Sequence, residues 1–419
     1  GGRLMNLAED TLASQFLEKA IAILQENRDY TIANRRHLHE FPELSFQEEQ
    51  TRSFIQKELL AYGYSDIQTE VGGGGILATL DTGKPGPIIA LRADFDALPI
   101  QEESDLPFKS KNDGVMHACG HDVHTATLLS VAQAVGKLSS DLSGKLIFIF
   151  QHAEELPPGG AIAIMESGAL DDVDAIFGLH IQGGTVDAGK LYIHPGYMMA
   201  AADSFEIQIQ GKGGHGSAPH TTVDATVVAA YLIQELQTIV SRRKDPIKAG
   251  VLSVTAFHAG EGADNIIADK AYLKGTVRTF EKEVQQQFKE GISEMVEHIA
   301  AAHGATAKVT YKYGYPSVYN YPEETSLVEK IFIEQFGEEN VVTVQPTMGG
   351  EDFAYYLQKI PGTFFNVPAG IATQEINYPH HHPKFTADEE SLFIGAQAFL
   401  SIIQHYLIEN ESIEGIDNV

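Results

Sequence analysis

Apolar residues recur every fourth position at Leu12, Phe16, Ala20 and Leu24, the spacing of one helix face, so the chain is predicted to open as an amphipathic helix. Tyr30–Glu40 reads as a second helix stopped by Pro42. Ser45-x-x-Glu48 has the form of a capping box, predicting a third helix that ends at Gly63. Beyond Gly72–Gly75 the pattern shortens to two apolar runs separated by DTGKPGP, which predict a hairpin of buried strands, Ile76–Leu80 and Ile88–Ala93. The four glycines read as a flexible turn, because neither a Lys-Ser/Thr pair nor a helix follows them to make a phosphate loop.

A helix running to about Val135, a strand at Lys145–Phe150, a helix at about Gly160–Ser167 and a strand at Asp174–Leu179 then alternate. Such alternation predicts a mostly parallel α/β sheet flanked by helices, with its site beyond the carboxyl ends of the strands. Asp94, Asp96, Glu154, Glu155 and His180 all fall at such ends. From about Ala201 the order becomes strand (Phe205–Gln210), helix (Thr222–Arg242), strands (Val251–His258 and Ala271–Thr279), helix (Lys282–His303) and strand (Ala307–Tyr313). This βαββαβ order predicts an inserted ferredoxin-like domain. The first pattern returns with a helix at Glu324–Phe336, strands at Val341–Val344 and Thr363–Val367, and a last helix from about Asp388 to Tyr406. The predicted domains are 5–200 and 316–410 for a divided catalytic domain, and 201–315 for the insertion.

A chain of 419 residues exceeds what one core usually serves, which agrees with two domains. Lys+Arg 29 against Asp+Glu 57 gives 29 − 57 = −28, a field that disfavours nucleic acid and anionic membranes as partners. One cysteine cannot form an internal disulfide, no uninterrupted apolar run has the length of a membrane span, and GGRLMNLAED lacks the pattern of a secretory signal. A cytoplasmic enzyme with a frayed acidic tail after Glu409 is expected.

The densest chemistry lies in Met116–Thr125, MHACGHDVHT, where Cys119 stands among His117, His121, Asp122 and His124. Thiolate and imidazole two residues apart suit a borderline-soft divalent ion. Glu154-Glu155 follows an apolar strand, and at a turning strand end one carboxylate can bind a metal while its neighbour serves as a base. His180, taken alone, reads as a buried histidine that needs a partner, and the same holds for the run His380–His382. Gly211-x-Gly213-x-x-Gly216 matches a dinucleotide fingerprint, but Pro219 and His220 interrupt the required helix, so these glycines read as a turn presenting His215. HExxH and GxSxG are absent, and one cysteine cannot build the usual zinc deaminase site.

Together RRHLHEFPELS, LRADFDALPI, HACGHDVHT, HAEE, GLH, GKGGHGSAPH, ADNIIAD, GTVRTF, GGEDFAYY and HHPKF resemble, in order, the aminoacylase/carboxypeptidase family of two-metal hydrolases. The cysteine marks its amidohydrolase branch, which includes hippurate hydrolases and plant indole-acetyl-amino-acid hydrolases. The resemblance implies two divalent ions per subunit, zinc, manganese, cobalt or nickel, on Cys119, His121, Glu155, His180 and His381, with His380 and His382 as near alternatives. It implies Glu154 as general base, His215, Asn265 and Arg278 at the substrate, and a homodimer or larger assembly in which a partner supplies His215. The implied reaction is hydrolysis of an N-acyl amino acid or small peptide. A dipeptidase or aminopeptidase, a non-catalytic metal- or peptide-binding protein and a dinucleotide oxidoreductase are the competing readings.

Overall fold

Helical periodicity is realised at the start of the chain: in the computed structural model, which describes residues 2–409, α1 (Gly2–Glu26) buries Phe16, Ala20 and Leu24. The predicted acidic tail lies outside the described residues. α2 (Arg28–Glu40) and α3 (Glu49–Ala61) follow, but the capping box does not form. Ser45 Oγ donates instead to Asp96 Oδ2 over 2.6 Å, and the free first-turn N–H groups of Gln50 and Thr51 go to the Glu43 carboxylate at 3.2 and 2.6 Å. A longer acidic side chain from outside the helix has taken the role that the sequence pattern gives to Ser45.

β1 (Ile67–Val71), β2 (Gly75–Asp81) and β3 (Ile88–Asp94) come next. The predicted hairpin is not observed, because β4 (Lys145–Gln151) lies between β2 and β3, antiparallel to the first and parallel to the second. β3 is buried along almost its whole length, and a strand of that kind needs partners on both edges. α4 (His121–Gly136) precedes β4, and α5 (Ala161–Glu166), β5 (Ala175–Gln182), β6 (Leu191–Ile193) and β7 (Gly196–Met199) complete this stretch. β5 runs two residues past His180, so that histidine sits inside the strand rather than at its end.

The next stretch comprises β8 (Ala201–Gln210), β9 (Gly214–His215), α6 (Ala225–Thr238), β10 (Gly250–Ala259), β11 (Ile266–Ile267), β12 (Lys270–Thr279), α7 (Lys282–Ala302) and β13 (Thr306–Lys312). Its four long strands form an antiparallel sheet in the order β10-β12-β8-β13, the ferredoxin-like arrangement expected of βαββαβ. Period-two alternation explains its half-buried character: Phe205, Ile207, Ile209, Leu273 and Val277 pack beneath Val228, Leu232, Phe288 and Ile292 of the helices. Asp224 caps α6 by accepting the Thr226 N–H at 3.0 Å.

The chain then gives β14 (Val318–Asn320), α8 (Pro322–Phe336), β15 (Val341–Thr343), α9 (Ala354–Leu357), β16 (Gly362–Pro368) and α10 (Glu390–Gln404). The large sheet has eight strands in the order β1-β2-β4-β3-β5-β16-β6-β15, with β4, β3, β5 and β16 mutually parallel at its centre. Glu390–Ile408 is long and apolar enough to cross a membrane, but 83% of it is buried inside the protein, as befits a core helix. Two compact units result. One comprises the described residues of Gly1–Gly196, Tyr319–Gln345 and Tyr355–Val419, and the other Tyr197–Val318 with Pro346–Ala354.

Candidate metal centre

The carboxyl ends of the central parallel strands gather the chemistry of the first unit. β3 ends at Asp94 with Asp96 two residues on, β4 delivers His152–Glu155, β5 carries His180, and His381 comes from the segment after β16. α4 begins at His121, and the preceding Gly120 adopts φ +82. A Cβ there would stand 2.4 Å from Ile181 Cδ1, so only glycine lets Cys119 and His121 approach β5 so closely.

His121 is oriented by its own hydrogen bonds. Its Nδ1–H donates to the Asp96 backbone oxygen at 2.8 Å and lies 3.1 Å from Asp96 Oδ1. With Nδ1 engaged, Nε2 is the nitrogen turned to the site, and it faces Asp94 Oδ2 at 3.2 Å, Glu155 Oε1 at 3.4 Å and Glu154 Oε1 at 3.5 Å. His180 is fixed in the same sense: Nδ1–H donates to the Ile181 backbone oxygen at 2.7 Å, leaving Nε2 3.5 Å from Cys119 Sγ. Backbone or carboxylate support of the other imidazole nitrogen is the usual arrangement behind a metal-ligating histidine.

Donor atoms of Cys119, His121 and His180 lie within 4.8 Å of one another, as do those of Cys119, Glu155 and His381. Cys119 belongs to both groups. Nε2 of His121, Oε1 of Glu155 and Oδ2 of Asp94 are buried without hydrogen-bond partners, although carboxylates and an imidazole crowd together there. Burial would lower the His121 pKa, but Asp94, Asp96 and Glu155 outweigh it and hold it well above the ordinary value. Burial and then the Glu155 and Glu154 charges push the Cys119 thiol up. Clustered carboxylates, of which Asp94 has a guanidinium beside it, Arg92 Nη1 3.4 Å from its Oδ2, and a thiol/imidazole/carboxylate set that includes donor atoms without hydrogen bonds fit divalent cations.

Other histidines of the same motifs are engaged elsewhere. His124 Nδ1–H donates to Asp94 Oδ1 at 2.7 Å while Nε2 accepts the Ile181 N–H at 3.0 Å, so neither nitrogen is available. Asp122 turns away to Arg35 Nε and His39 Nδ1, both at 2.9 Å, and His39 Nε2 continues to Glu102 at 2.9 Å. His117 is buried without reaching either donor group. Of the run before Pro383, His381 Nε2 lies 3.4 Å from Glu155 Oε2, whereas His380 Nε2 accepts the Gly183 N–H and His382 Nδ1 the Lys384 N–H.

In the second unit, β9 and β11 pair His215 with Ile266, and Gly216 N–H donates to the Asn265 oxygen at 2.7 Å, so His215 and Asn265 are neighbours. The glycine-rich stretch is the turn leading into this pair. Arg278 stands near the opposite end of β12, its Nε on Thr276 Oγ1 and its Nη1 on the Met348 oxygen, both at 3.1 Å. A cavity of about 670 Å³ in this unit, lined by Gln208, Gln210, His258, Lys270, Tyr272 and Lys308 among others, is touched by none of these three residues.

Comparison with known proteins gives the family. The family model for peptidase family M20/M25/M40 matches residues 90–405. The chain belongs to this family. It is 46% identical to YhaA of Bacillus subtilis (strain 168) over 89% of this chain and 94% of that one. It is 45% identical to the N-acyl-L-amino acid amidohydrolase of Geobacillus stearothermophilus, over 73% and 82% of the two chains. Among solved structures, the Bacillus subtilis YXEP protein, described as a dinuclear metal-binding peptidase of family M20, superposes with a TM-score of 0.78 at 37% identity, covering 91% of this chain and 98% of that one. This M20 chain is thus a metal-dependent hydrolase of amide bonds, with the mixed sheet and inserted unit expected from its sequence.

From sequence, Asp94 and Asp96 are placed only at strand ends, and Arg35, His39 and Glu102 have no assigned role. The LRADFDALPI spacing is the signal that bore on the first two: an aspartate at the last residue of a buried strand and another two residues on. Nothing local marks the Arg35–Asp122–His39–Glu102 chain, because its members are separated by up to 87 residues.

Proposed function

We propose that this M20 enzyme hydrolyses N-acyl amino acids, with Glu154 as general base and Cys119, His121, Glu155, His180 and His381 holding two divalent ions. Bound there, the ions supply Lewis acidity that polarises the amide carbonyl and acidifies a water. Support for the division of roles comes from one observation. Both oxygens of Glu155 face imidazoles, His121 at 3.4 Å and His381 at 3.4 Å, and Glu155 shares a donor group with Cys119; Glu154, 3.5 Å from His121, groups with His121 and Glu155 and with Asp94 and Glu351, but not with Cys119. Glu154 then removes the proton from the attacking water and delivers it to the leaving nitrogen. Arg278, with N–H groups remaining beyond its two internal bonds, pairs with the substrate carboxylate. Thiolate and imidazole suit zinc, cobalt or nickel, and the carboxylate admits manganese.

The test is a hydrolysis screen of N-acetyl, N-benzoyl and indole-acetyl amino acids beside simple dipeptides, repeated with each metal. Release of free amino acid from the N-acyl series is expected. Cleavage of dipeptides alone would replace this reading with the peptidase one, and no cleavage of any substrate would remove both.

The reading extends to a homodimer in which each chain supplies His215 and Asn265 to the site of the other. β12 runs eight residues from Lys270 to Arg278, about 27 Å at strand spacing, and His215 and Asn265 lie beyond its Lys270 end. One substrate cannot readily meet both groups from a single unit. β10 is an edge strand carrying the exposed Val251 and Phe257, an edge that a second copy would cover. Coexpressing His215→Ala with Glu154→Gln, each inactive alone, is expected to restore about a quarter of wild-type activity, since half the dimers are mixed and each has one intact site. No recovery would place His215 in its own chain's site, and light scattering that showed only monomer would contradict the assembly.

A further inference from the structure

We propose that Glu48 is a positioning residue that holds the Ala153 turn and thereby aims Glu154 and Glu155; the inference rests on the roles given to those two glutamates above. Glu48 precedes α3 and is 2% exposed, yet its carboxylate does not cap that helix. Oε2 instead accepts the Ala153 N–H at 2.9 Å, a bond that spans 105 residues of chain.

Ala153 is fully buried and adopts φ +53, the left-handed region that a residue with a Cβ occupies only when its surroundings hold it there. Consecutive side chains of an extended strand point to opposite faces, so a straight continuation of β4 would separate Glu154 from Glu155. After the turn at Ala153, both present an oxygen to the same atom, His121 Nε2, at 3.5 and 3.4 Å. The turn is what makes adjacent residues serve one site.

It is gripped at both ends by the PELSFQE segment. Glu48 takes the N–H of Ala153, while Asp96 Oδ2 takes the N–H of Glu155 at 2.9 Å and is itself held by the Ser45 hydroxyl at 2.6 Å. The glycine run before β2 closes the third side: a Cβ on Gly74 would stand 2.7 Å from the His152 ring. That run, read from sequence as a turn, is the turn joining β1 to β2, and its Gly74 packs on His152 beside the glutamate turn. Without the Glu48 acceptor, the buried Ala153 N–H has no partner and the left-handed turn loses its restraint.

Four variants of the full-length protein, Glu48→Leu, Glu48→Gln, Ala153→Val and Ala153→Gly, test this. Each is stripped of metal, titrated with Zn²⁺ against a chromogenic chelator, and assayed for kcat and KM separately. Glu48→Leu is expected to weaken Zn²⁺ binding at least about tenfold and to lower kcat by about 10–100-fold with little change in KM, the scale of a ~1 Å misplacement of ligand and base. Glu48→Gln, whose amide oxygen still accepts the N–H, is expected to stay within about threefold of wild type, because the anchor and not the charge is what matters. Ala153→Val is expected to reproduce the Leu losses with Glu48 intact, since a β-branched residue does not hold this φ, and Ala153→Gly to avoid them.

Wild-type affinity and kcat in Glu48→Leu, or equal damage in Glu48→Gln, would overturn the proposal. If Glu48→Leu does not fold, the Ala153 pair decides, and an unimpaired Ala153→Val overturns it. Failure of the functional reading looks different: Glu154→Gln and Glu155→Gln would then themselves show wild-type turnover and metal binding.

Discussion

Glu154→Gln is expected to lose at least about 10²-fold in kcat while keeping its metal content and its affinity for a substrate analogue, since a positioned general base typically contributes ~10²–10⁴-fold. The substitution is nearly isosteric and removes only the ability to take a proton. Its neighbour gives the contrast. Glu155 bridges His121 and His381, with one oxygen 3.4 Å from each imidazole, so Glu155→Gln replaces a charged donor with a neutral amide at the point where two groups meet. Metal content, measured by elemental analysis after gel filtration, is expected to fall in Glu155→Gln and to hold in Glu154→Gln. Equal loss in the two variants, or near-wild-type turnover by Glu154→Gln, would overturn the assignment.

This contrast depends on a feature that the sequence shows only in part. HAEE after an apolar strand reveals two carboxylates at a strand end, but the left-handed Ala153 that brings them to one side carries no glycine to announce it. The same limit explains the other departures. Ser45 and Glu48 have the spacing of a capping box, and spacing is local; their actual partners, Asp96 and Ala153, lie 51 and 105 residues away. The hairpin expected of β2 and β3 failed for a similar reason, since the strand that separates them is supplied more than fifty residues later. By contrast the βαββαβ order of the second unit is legible throughout, because β8, β12 and β13 alternate in period two and α7 keeps a continuous apolar face, although β10 is irregular about a register shift between Val254 and Ala256. Cysteine and histidine types, too, are legible at Met116–Thr125, but which of them turn inward is decided by hydrogen bonds to distant residues. Asp96 fixes His121, Asp94 and Ile181 occupy His124, and Arg35 and His39 hold Asp122 away from the donor atoms.

Cys119→Ser is expected to weaken binding of both ions, because Sγ is the one donor common to the Cys119/His121/His180 and Cys119/Glu155/His381 groups. A serine hydroxyl remains protonated and is a poor ligand, whereas a thiolate is a strong one for borderline-soft ions. Loss of even an outer partner of a ligand costs ~10–100-fold in metal affinity, so loss of a shared ligand is expected to exceed about 100-fold. Removal of an unshared ligand is a different case: His180→Ala disturbs only the first group and His381→Ala only the second, and each is expected to retain about one ion per chain. Thermal unfolding gives a readout that does not depend on activity. Added at about 100 times its Kd, a metal stabilises the folded chain by roughly 2.7 kcal/mol, so metal is expected to raise the wild-type Tm clearly and that of Cys119→Ser hardly at all. The metal-free proteins should melt together, since sulfur to oxygen is a small change in a chain whose metal-free thiol is already held protonated by burial and by Glu155 and Glu154. If Cys119→Ser keeps two ions and the full metal-induced rise in Tm, the cysteine is not a ligand; if it keeps one ion with half the rise, it serves one group and not both.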